Sequence, residues 1–236
     1  MAKETLKSSP YAFYAFYQLY LHFFHKNKGI TFQQIEKVLY PNYPVDLNTK
    51  KSLFITWKKK NSNGDDEEEY DLRGCIGTFA KLNILNGIER YSLVAALEDD
   101  RFSPIKAKEL SKLKCSCNIL DSFKTIYPIE DDDDNSEDGI YDWEIGKHGI
   151  EVKLIHPHTK TVHSATFLPE VMVEQNWDKD ETFQYLIDKS GLWNYIDKIM
   201  ANKKLYFKQV IRYEGHKSLI SYDEFIEKLK VLEENV

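Results

Sequence analysis

The sequence contains little cysteine and no long apolar run, and each shortage excludes a class of protein. Only 3 of the 236 residues are cysteines, an odd number that is too small for a disulfide framework and typical of a reducing compartment. No run of about 18 apolar residues is present, so we expect no membrane-spanning helix. The N-terminal residues lack the apolar core and the cleavage site of a signal peptide. Together these shortages predict a cytoplasmic location, with the nucleus as a second one.

The motifs of several large enzyme classes are also missing. The chain has no G-x-x-x-x-G-K-S/T phosphate loop, no G-x-G-x-x-G sequence before a helix and no G-x-S-x-G nucleophile elbow. Cys115 and Cys117 have no second cysteine pair beside them, whereas tetrahedral zinc usually takes four ligands. His156, His158 and His163 surround one predicted hairpin, but a proline between the first two favours a turn over a shared face. We therefore predict no metal site, and the identity of any cofactor stays open because the sequence does not indicate one.

The acidic residues are concentrated in two short segments. The chain has 32 basic and 38 acidic residues, a net charge of -6, which argues against a general nucleic-acid coat. Thirteen of the acids lie within 65–71 and 130–138, which leaves 25 acids against 32 bases elsewhere. Because like charges repel, we expect both segments to be solvated loop insertions, at about 61–71 and 129–139. The positive remainder permits an anionic small-molecule ligand, whereas nucleic-acid binding has little support because no clustering is visible in the sequence.

The order of the predicted elements indicates the fold class. Apolar periodicity and capping residues predict helices at 10–24, 31–39, 85–97, 169–175, 179–189, 192–201 and 221–232. The corresponding strand signals lie at 52–57, 71–79, 114–126, 149–156, 161–168 and 205–213. Because strand pairs and helices alternate without a regular βαβ rhythm, we predict an α+β fold with a mostly antiparallel sheet flanked by helices. No linker rich in glycine, proline or serine divides the chain, so we expect 1–236 to form a single domain, with two lobes as the alternative.

Residues 72–77, Leu-Arg-Gly-Cys-Ile-Gly, form the segment with the most chemical content. Glycine weakens a strand and often marks a bulge or a close approach of another backbone, and this strand contains both Gly74 and Gly77. Bare backbone N–H groups there could bind an anion, and Arg73 offers a planar fork for a carboxylate or phosphate. The alternative is structural, because the glycines could instead allow a helix to pack on the strand.

Cys75 lies between these glycines and close to Arg73 in sequence. A neighbouring cation lowers the pKa of a thiol, so Cys75 is a candidate nucleophile or redox thiol. Such a nucleophile needs a base, and the candidate is His148, which is flanked by Gly146 and Gly149. Each residue has a structural alternative, since a buried cysteine behaves as a small apolar residue and a lone histidine is more often structural or exposed.

Residues 72–77 resemble the signature hexapeptide of the AMMECR family, the Alport syndrome and elliptocytosis chromosomal-region proteins. Further blocks in the same order support the resemblance: Asp-Asp-Arg-Phe-Ser-Pro at 99–104, Gly-Lys-His-Gly-Ile at 146–150, Ala-Thr-Phe-Leu-Pro-Glu-Val at 165–171, Glu-Gln-Asn-Trp at 174–177, Arg-Tyr at 212–213 and Ser-Tyr-Asp-Glu at 221–224. The similarity extends over 10–229, and the chain departs from the pattern at Asp100, where the family usually has proline. The two acidic segments resemble insertions into this pattern.

The resemblance implies several properties that the residues alone do not. It implies an α+β fold of two unequal, closely packed subdomains around an antiparallel sheet, with the hexapeptide suspected as the functional site. It brings no established reaction, so whether the protein is an enzyme stays open. Some relatives resemble fusions or neighbours of Memo-type and radical-SAM proteins, which implies a Memo-type protein as partner by analogy.

Three functions are compatible with these residues. The first is a cleft for an anionic small molecule, which either binds the ligand or uses a thiol in catalysis, lined by Arg73, Gly74, Gly77, Cys75 and His148. The second is a non-enzymatic module that binds a partner protein through a surface groove and regulates it. The third, nucleotide or nucleic-acid binding, has the least support because no stacking motif accompanies the basic residues.

Overall fold

The structure is a computed structural model that describes residues 7–24, 29–61, 70–128 and 137–235. The α-helices in this part of the chain are α1 (Pro10–Phe24), α2 (Phe32–Leu39), α3 (Ile84–Leu97), α4 (Pro169–Gln175), α5 (Lys179–Ile187), α6 (Ile196–Met200), α7 (Lys203–Tyr206) and α8 (Tyr222–Glu234). The strands are β1 (Lys51–Lys60), β2 (Tyr70–Leu82), β3 (Leu113–Tyr127), β4 (His148–Ile155), β5 (Val162–Phe167) and β6 (Phe207–Ser221). The predicted α+β class with an antiparallel sheet is confirmed.

The strands join one sheet in the order β2-β1-β3-β6-β4-β5. Both predicted hairpins are present, since β1 pairs with β2 and β4 pairs with β5 in antiparallel register. By its contacts the chain divides into two compact units, a first unit of 1–119 with 216–236 and a second unit of 120–215. Strands β3 and β6 contribute residues to both units, and the single domain expected for 1–236 stays a prediction. Among the described residues, no helix is long and apolar enough to span a membrane.

The core of the first unit forms around one face of β1. Alternate residues of this strand, Leu53, Ile55 and Trp57, are fully buried, as the two-residue period of a strand requires. Helix α1 is largely buried, as its many aromatic residues predict. The ring of Phe16 on α1 lies 4.7 Å from that of Phe225 on α8 and is stacked on it. The aromatic residues of α1 are therefore core residues, which explains their high number in this segment.

Two local helix signals of the sequence are confirmed by the geometry. Thr31 caps α2, because its Oγ1 accepts a hydrogen bond from the Gln34 N–H and Gln34 Oε1 accepts one from the Thr31 N–H. The second signal is Gly191, which has a φ of 85° within the turn Asp188–Leu192 that follows α5. A left-handed residue at this point ends the helix, and glycine adopts that conformation without steric cost.

The core of the second unit lies between β4 and α5. Ile150, Val152 and Leu154 on β4 are fully buried at alternate positions. The ring of Phe183 on α5 meets that of Trp143 edge to face, at a centroid distance of 6.0 Å. Both units therefore have an apolar core of their own.

Several segments differ from the sequence prediction. Residues 203–206 form the short helix α7 instead of the start of a strand, and β6 runs to Ser221, past its predicted end at 213. Polar residues obscure the strand pattern there, but Ser218 and Ile220 are buried and continue it. The 3₁₀ helix Ala107–Lys112 was not predicted because an element this short shows no 3.6-residue period. Most of the two acidic insertions, 62–69 and 129–136, lies outside the described residues.

Candidate functional site

The hexapeptide lies on β2, which is the terminal strand at one end of the sheet, and it contains a β-bulge. Gly74 pairs with Trp57 on β1, but the next pair joins Leu72 to Lys58, so Arg73 is left without a cross-strand partner. An extra residue of this kind bends the strand and changes the direction of a side chain. The bulge that the glycine pattern indicates therefore falls at Arg73, next to Gly74.

Both glycines of the hexapeptide allow another group to approach β2 closely. A Cβ atom on Gly74 would lie 2.0 Å from the carbonyl oxygen of Ala95 on α3. A Cβ atom on Gly77 would lie 2.4 Å from the carbonyl oxygen of Leu53 and from the ring of Phe54. Backbone atoms cannot give way by such amounts, so a larger residue would displace the helix or the strand. The close approach predicted for these glycines is present, and at Gly74 the approaching group is a helix.

The packing of α3 against Gly74 brings the residues after this helix to the outer edge of β2. The Cys75 N–H donates a hydrogen bond to Asp99 Oδ2 at 2.8 Å, and the Cys75 carbonyl accepts one from Arg101 Nη2 at 3.0 Å. The side chains of Asp99 and Arg101 are also joined by two hydrogen bonds, of 2.9 and 2.7 Å. This Asp99–Arg101 pair is named the edge clamp, because it binds both main-chain polar groups that Cys75 turns away from β1.

The edge clamp joins a buried anion to a half-exposed cation. The Asp99 side chain is 2% exposed and that of Arg101 is 52% exposed. Hydrogen bonding to the Arg101 guanidinium lowers the pKa of Asp99 well below its usual value, and the Cys75 N–H adds to this effect against the opposing effect of burial. The anion bound by the Cys75 N–H is therefore a carboxylate of the protein itself.

The thiol of Cys75 has different neighbours from those that the sequence indicates. It is half-buried, and its Sγ lies 3.2 Å from Oγ1 of Thr56, the residue opposite it on β1. The cation bound to Cys75 is Arg101, through the main-chain carbonyl, whereas the Arg73 guanidinium binds Glu109. Any thiol chemistry would therefore depend on Thr56 and Arg101 as the neighbouring polar groups.

Arg73 and Lys59 share one carboxylate, that of Glu109 in the 3₁₀ helix Ala107–Lys112. Arg73 donates to it through Nε and Nη2, each at 3.2 Å, and Lys59 donates through Nζ at 2.7 Å. The backbone N–H of Lys106 adds a further bond of 2.9 Å. Burial raises the pKa of Glu109, but these hydrogen bonds have the larger combined effect and lower the pKa to about 2. Glu109 is therefore ionised at physiological pH and fixes the fork of Arg73.

A pocket of about 270 Å³ lies at the end of the β1–β2 hairpin, and its lining residues are Lys59, Lys60, Asn61, Asp71, Leu72 and Arg73. The Nη1 atom of Arg73 is buried and makes no hydrogen bond within the part of the chain that the structure describes. A buried donor without a partner costs about 1–3 kcal/mol, and such groups are normally satisfied by water or an ion. The pocket is therefore lined mainly by basic side chains, and Arg73 in addition has one buried donor without a partner among the described residues.

His148, the candidate base, lies in the second unit at the start of β4 and is buried. Its Nδ1 accepts a hydrogen bond from the Glu144 N–H at 2.9 Å, so Nε2 carries the proton of the neutral ring. That Nε2 lies 3.7 Å from Oε1 of Glu214. Burial lowers the pKa of His148, and nearby cations act in the same direction. The imidazole of His148 therefore stabilises the turn before β4 through its bond to the Glu144 N–H. Cys75 belongs to the first unit, and its thiol contacts Thr56 instead.

The two glycines beside His148 are explained by backbone conformation and packing. Gly146 has a φ of 83°, which residues with a side chain rarely adopt. A Cβ atom on Gly149 would lie 2.3 Å from the ring of Tyr213 on β6. The Tyr213 hydroxyl donates to the carbonyl of Phe167 at 3.0 Å, and burial raises its pKa. Gly146 therefore permits the turn before β4, and Gly149 leaves room for the ring of Tyr213.

Sequence reasoning missed four residues that organise the hexapeptide, namely Asp99, Arg101, Glu109 and Lys59. The first two lie in the block at 99–104, whose resemblance to the family pattern was a signal that these residues act with the hexapeptide. No local pattern connects Glu109 with Lys59, because the contact joins residues that are 50 positions apart. Such a pairing follows only from the packing of the 3₁₀ helix against β1.

The cysteine and histidine groups considered for metal binding have other surroundings. Among the residues that the structure describes, no three or more His, Cys, Asp or Glu side chains are grouped so that they could hold a metal ion. Cys115 and Cys117 on β3 are fully buried, and burial raises the pKa of both thiols. His156 and His163 lie near each other, with ring centroids 5.6 Å apart, and Nδ1 of His163 donates to the carbonyl of Ser190.

Comparison with known proteins gives matches over most of the chain. The AMMECR1 family model matches residues 21–216. The uncharacterised protein YOR289W of Saccharomyces cerevisiae is 55% identical over 231 residues, which cover 96% of this chain and 91% of that protein. The uncharacterised protein KLLA0D02464g of Kluyveromyces lactis is 51% identical, with 95% of both chains covered. The crystal structure of the uncharacterised protein PH0010 from Pyrococcus horikoshii has a TM-score of 0.56 and covers 88% of each chain, and at 22% identity it shows the shared fold alone.

Proposed function

The chain belongs to the AMMECR1 family, and from the geometry of its hexapeptide strand we propose that it binds a small anionic ligand at the end of the β1–β2 hairpin. The ligand class is a carboxylate or a phosphate. The basic lining carries the proposal, since Lys59, Lys60 and Arg73 all border the pocket and Asp71 is the one acidic residue among its lining residues. A guanidinium suits planar carboxylate and phosphate groups because its donors form a rigid fork.

The surroundings of Arg73 favour an anion over a neutral ligand. Lys59 and Lys60 also line the pocket and add positive charge. Glu109 neutralises part of this charge, but it also holds the Arg73 guanidinium in one orientation through two hydrogen bonds. A side chain that is already fixed loses less conformational entropy when a ligand binds. The ligand would thus meet a preorganised donor in a basic pocket.

The same geometry supports binding more strongly than thiol catalysis. The main chain of Cys75 is bound by the edge clamp, and its thiol contacts the hydroxyl of Thr56. The Nδ1 atom of His148 already accepts the Glu144 N–H, and its Nε2 carries the proton. A general base needs a free nitrogen lone pair within reach of the proton that it removes. Arg73 is therefore assigned to the ligand, and Cys75 to the strand that positions Arg73.

Titration calorimetry with inorganic phosphate and with succinate tests this proposal. We expect Arg73→Gln to weaken binding by roughly tenfold, because hydrogen bonds to charged groups contribute about 1.5–3 kcal/mol. Lys60→Gln removes an exposed cation of the pocket and should weaken binding by about two- to threefold. Glu109→Gln removes the competing negative charge, while the amide oxygen can still accept a hydrogen bond from Arg73 and hold it in place. This variant should therefore strengthen binding, which a merely structural role of Arg73 does not predict.

Arg90→Gln is the matched control, since Arg90 is an exposed arginine of α3 outside the pocket. This variant should bind both anions as the wild type does. Thermal unfolding of every variant separates loss of binding from loss of the fold. The proposal is wrong if the folded wild-type protein binds neither anion at millimolar concentration, or if Arg73→Gln and Lys60→Gln both leave the affinity unchanged.

A further inference from the structure

Strand β4 is preceded and followed by a turn that an imidazole closes. At the first turn, Nδ1 of His148 accepts the Glu144 N–H at 2.9 Å, and the His148 N–H donates to the Glu144 carbonyl at 3.0 Å. At the second turn, Nδ1 of His156 accepts two N–H groups, from His158 at 3.1 Å and from Thr159 at 3.2 Å. The same ring atom therefore holds the main chain at both ends of one strand.

These hydrogen bonds require both imidazoles to be neutral. A nitrogen that accepts an N–H needs a free lone pair, and in the imidazolium both ring nitrogens carry a hydrogen. Protonation of Nδ1 would therefore replace an acceptor by a donor that faces backbone N–H groups. Each turn must open before its ring can take up this proton, so proton uptake and the opening of the turn are coupled.

The charged groups around His148 come from the turn and from β6. Glu144 and Lys147 lie on the turn, and Arg212 and Glu214 act on the ring from β6, with Glu214 Oε1 at 3.7 Å from Nε2. Burial lowers the pKa of His148, the two cations act in the same direction, and the two carboxylates oppose them. The closed turn therefore keeps this imidazole neutral at a pH at which an unperturbed histidine, with a pKa of about 6.5, is already half protonated.

The groups around His156 are three other rings and one cation. The ring centroid of His156 lies 6.2 Å from that of His158 on the turn, 5.6 Å from that of His163 on β5 and 5.0 Å from that of Tyr195. Lys160 adds a positive charge to the same turn. Acid would therefore add positive charge to three neighbouring imidazoles beside a lysine, and like charges at such distances repel.

We propose that His148 and His156 make β4 an acid-sensitive strand, whose two end turns are closed at neutral pH and open when these imidazoles are protonated. At the first turn, the open form binds a proton that the closed form excludes, so opening is favoured as the pH falls below about 6.5 and closure is favoured above it. Trp143, which precedes Glu144, is buried in the core of the second unit, and opening of this turn would loosen it. The anion pocket belongs to the first unit and does not involve these turns.

Amide hydrogen exchange of the full chain, measured by NMR at about pH 7.5 and about pH 5, tests the inference. The protection factors of the amides, which correct for the effect of pH on intrinsic exchange, report the opening of each turn. We expect the factors of the Glu144, His158 and Thr159 amides to fall by about tenfold at the lower pH. The Gln34 N–H, which the Thr31 hydroxyl binds, should keep its factor because a hydroxyl does not titrate in this range.

Asparagine is the matched replacement for each histidine, because its Oδ1 lies where histidine has Nδ1 and does not titrate in this range. His148→Asn and His156→Asn should each keep the protection of their own turn at both pH values. His22→Gln, which removes an exposed histidine of α1, should behave as the wild type. Wild-type protection that is unchanged at the lower pH, or that falls at one turn only, would overturn the inference, even if an asparagine variant does not fold. A fall that persists in folded asparagine variants would overturn it as well.

Discussion

At the residue scale, Glu109 governs the charge that the pocket presents. Its carboxylate is bound by Arg73 and Lys59, and its pKa is lowered to about 2 despite the opposing effect of burial. In an unfolded chain a glutamate has a pKa of about 4.3, so the unfolded state binds the proton more readily between these two values. The contribution of Glu109 to stability is therefore complete above about pH 4.3 and is lost as the pH falls toward 2.

This linkage predicts how Glu109→Gln changes the stability profile. The wild-type free energy of unfolding should decrease as the pH is lowered from about 4.5 to 2, and the variant should show a shallower decrease because its amide does not titrate. Urea unfolding at a series of pH values measures both slopes. Glu98→Gln, an exposed residue at the end of α3, should keep the wild-type slope. Equal slopes for Glu109→Gln and the wild type would contradict the assignment.

The residue types of the hexapeptide could be interpreted from the sequence, but their partners could not. The glycine spacing predicts a bulge and a close approach, and both occur at Arg73 and Gly74. The pairing of Arg73 with Glu109 and that of Cys75 with Asp99 join residues 36 and 24 positions apart. No local propensity determines such contacts, because they depend on how α3 and the 3₁₀ helix pack against β2.

At the scale of secondary-structure elements, both terminal strands of the sheet have carbonyl groups bound by cationic side chains. On β2 the Cys75 carbonyl accepts from Arg101 at 3.0 Å, and on β5 the Thr166 carbonyl accepts from Lys189 Nζ at 2.9 Å. Burial lowers the pKa of Lys189. Unpaired backbone groups at a sheet edge invite another strand, and charged side chains are a common protection. On β2 the edge clamp binds the N–H of the same residue as well.

The edge clamp gives a prediction for hydrogen exchange. Asp99→Ala removes the acceptor of the Cys75 N–H, and a hydrogen bond to a charged group contributes about 1.5–3 kcal/mol. We therefore expect the Cys75 amide of the folded variant to exchange at least about tenfold faster, as measured by NMR. Asp100→Ala, the exposed neighbour, should leave this rate unchanged. A folded Asp99→Ala protein with the wild-type exchange rate would show that the clamp does not protect the strand.

The elements themselves were predictable where local signals are strong. The capping box at Thr31, the left-handed Gly191 and the two hairpins follow from residue types at fixed offsets. The predicted end of β6 was wrong because Glu214 and its polar neighbours interrupt the apolar pattern of the sequence. The strand continues beyond them, and its residues are buried again from Ser218. Tertiary contacts determine that extension, and local propensity is only a weak guide there.

At the scale of the whole molecule, the net charge conceals an uneven distribution. The value of -6 includes 13 acids in two short segments, whereas Lys59, Lys60 and Arg73 line one pocket. The basic residues are not clustered in the sequence, but the fold brings Lys59 and Arg73 together because both bind Glu109. Net charge therefore predicts solubility and the response to salt, whereas the binding properties follow from the local surface.

The shared strands predict how the two units unfold. Each unit has its own apolar core, but β3 and β6 supply residues to both. Each of these two strands continues without a break from one unit into the other, so unfolding of one unit would leave the other with two strands that end in unfolded chain. We therefore expect one cooperative urea transition rather than two.

Hydrogen-exchange mass spectrometry across a urea series would report peptides from β1 for the first unit and from β4 for the second, and their midpoints should coincide. Midpoints separated by more than about 1 M urea would mean that the units fold independently in spite of the shared strands.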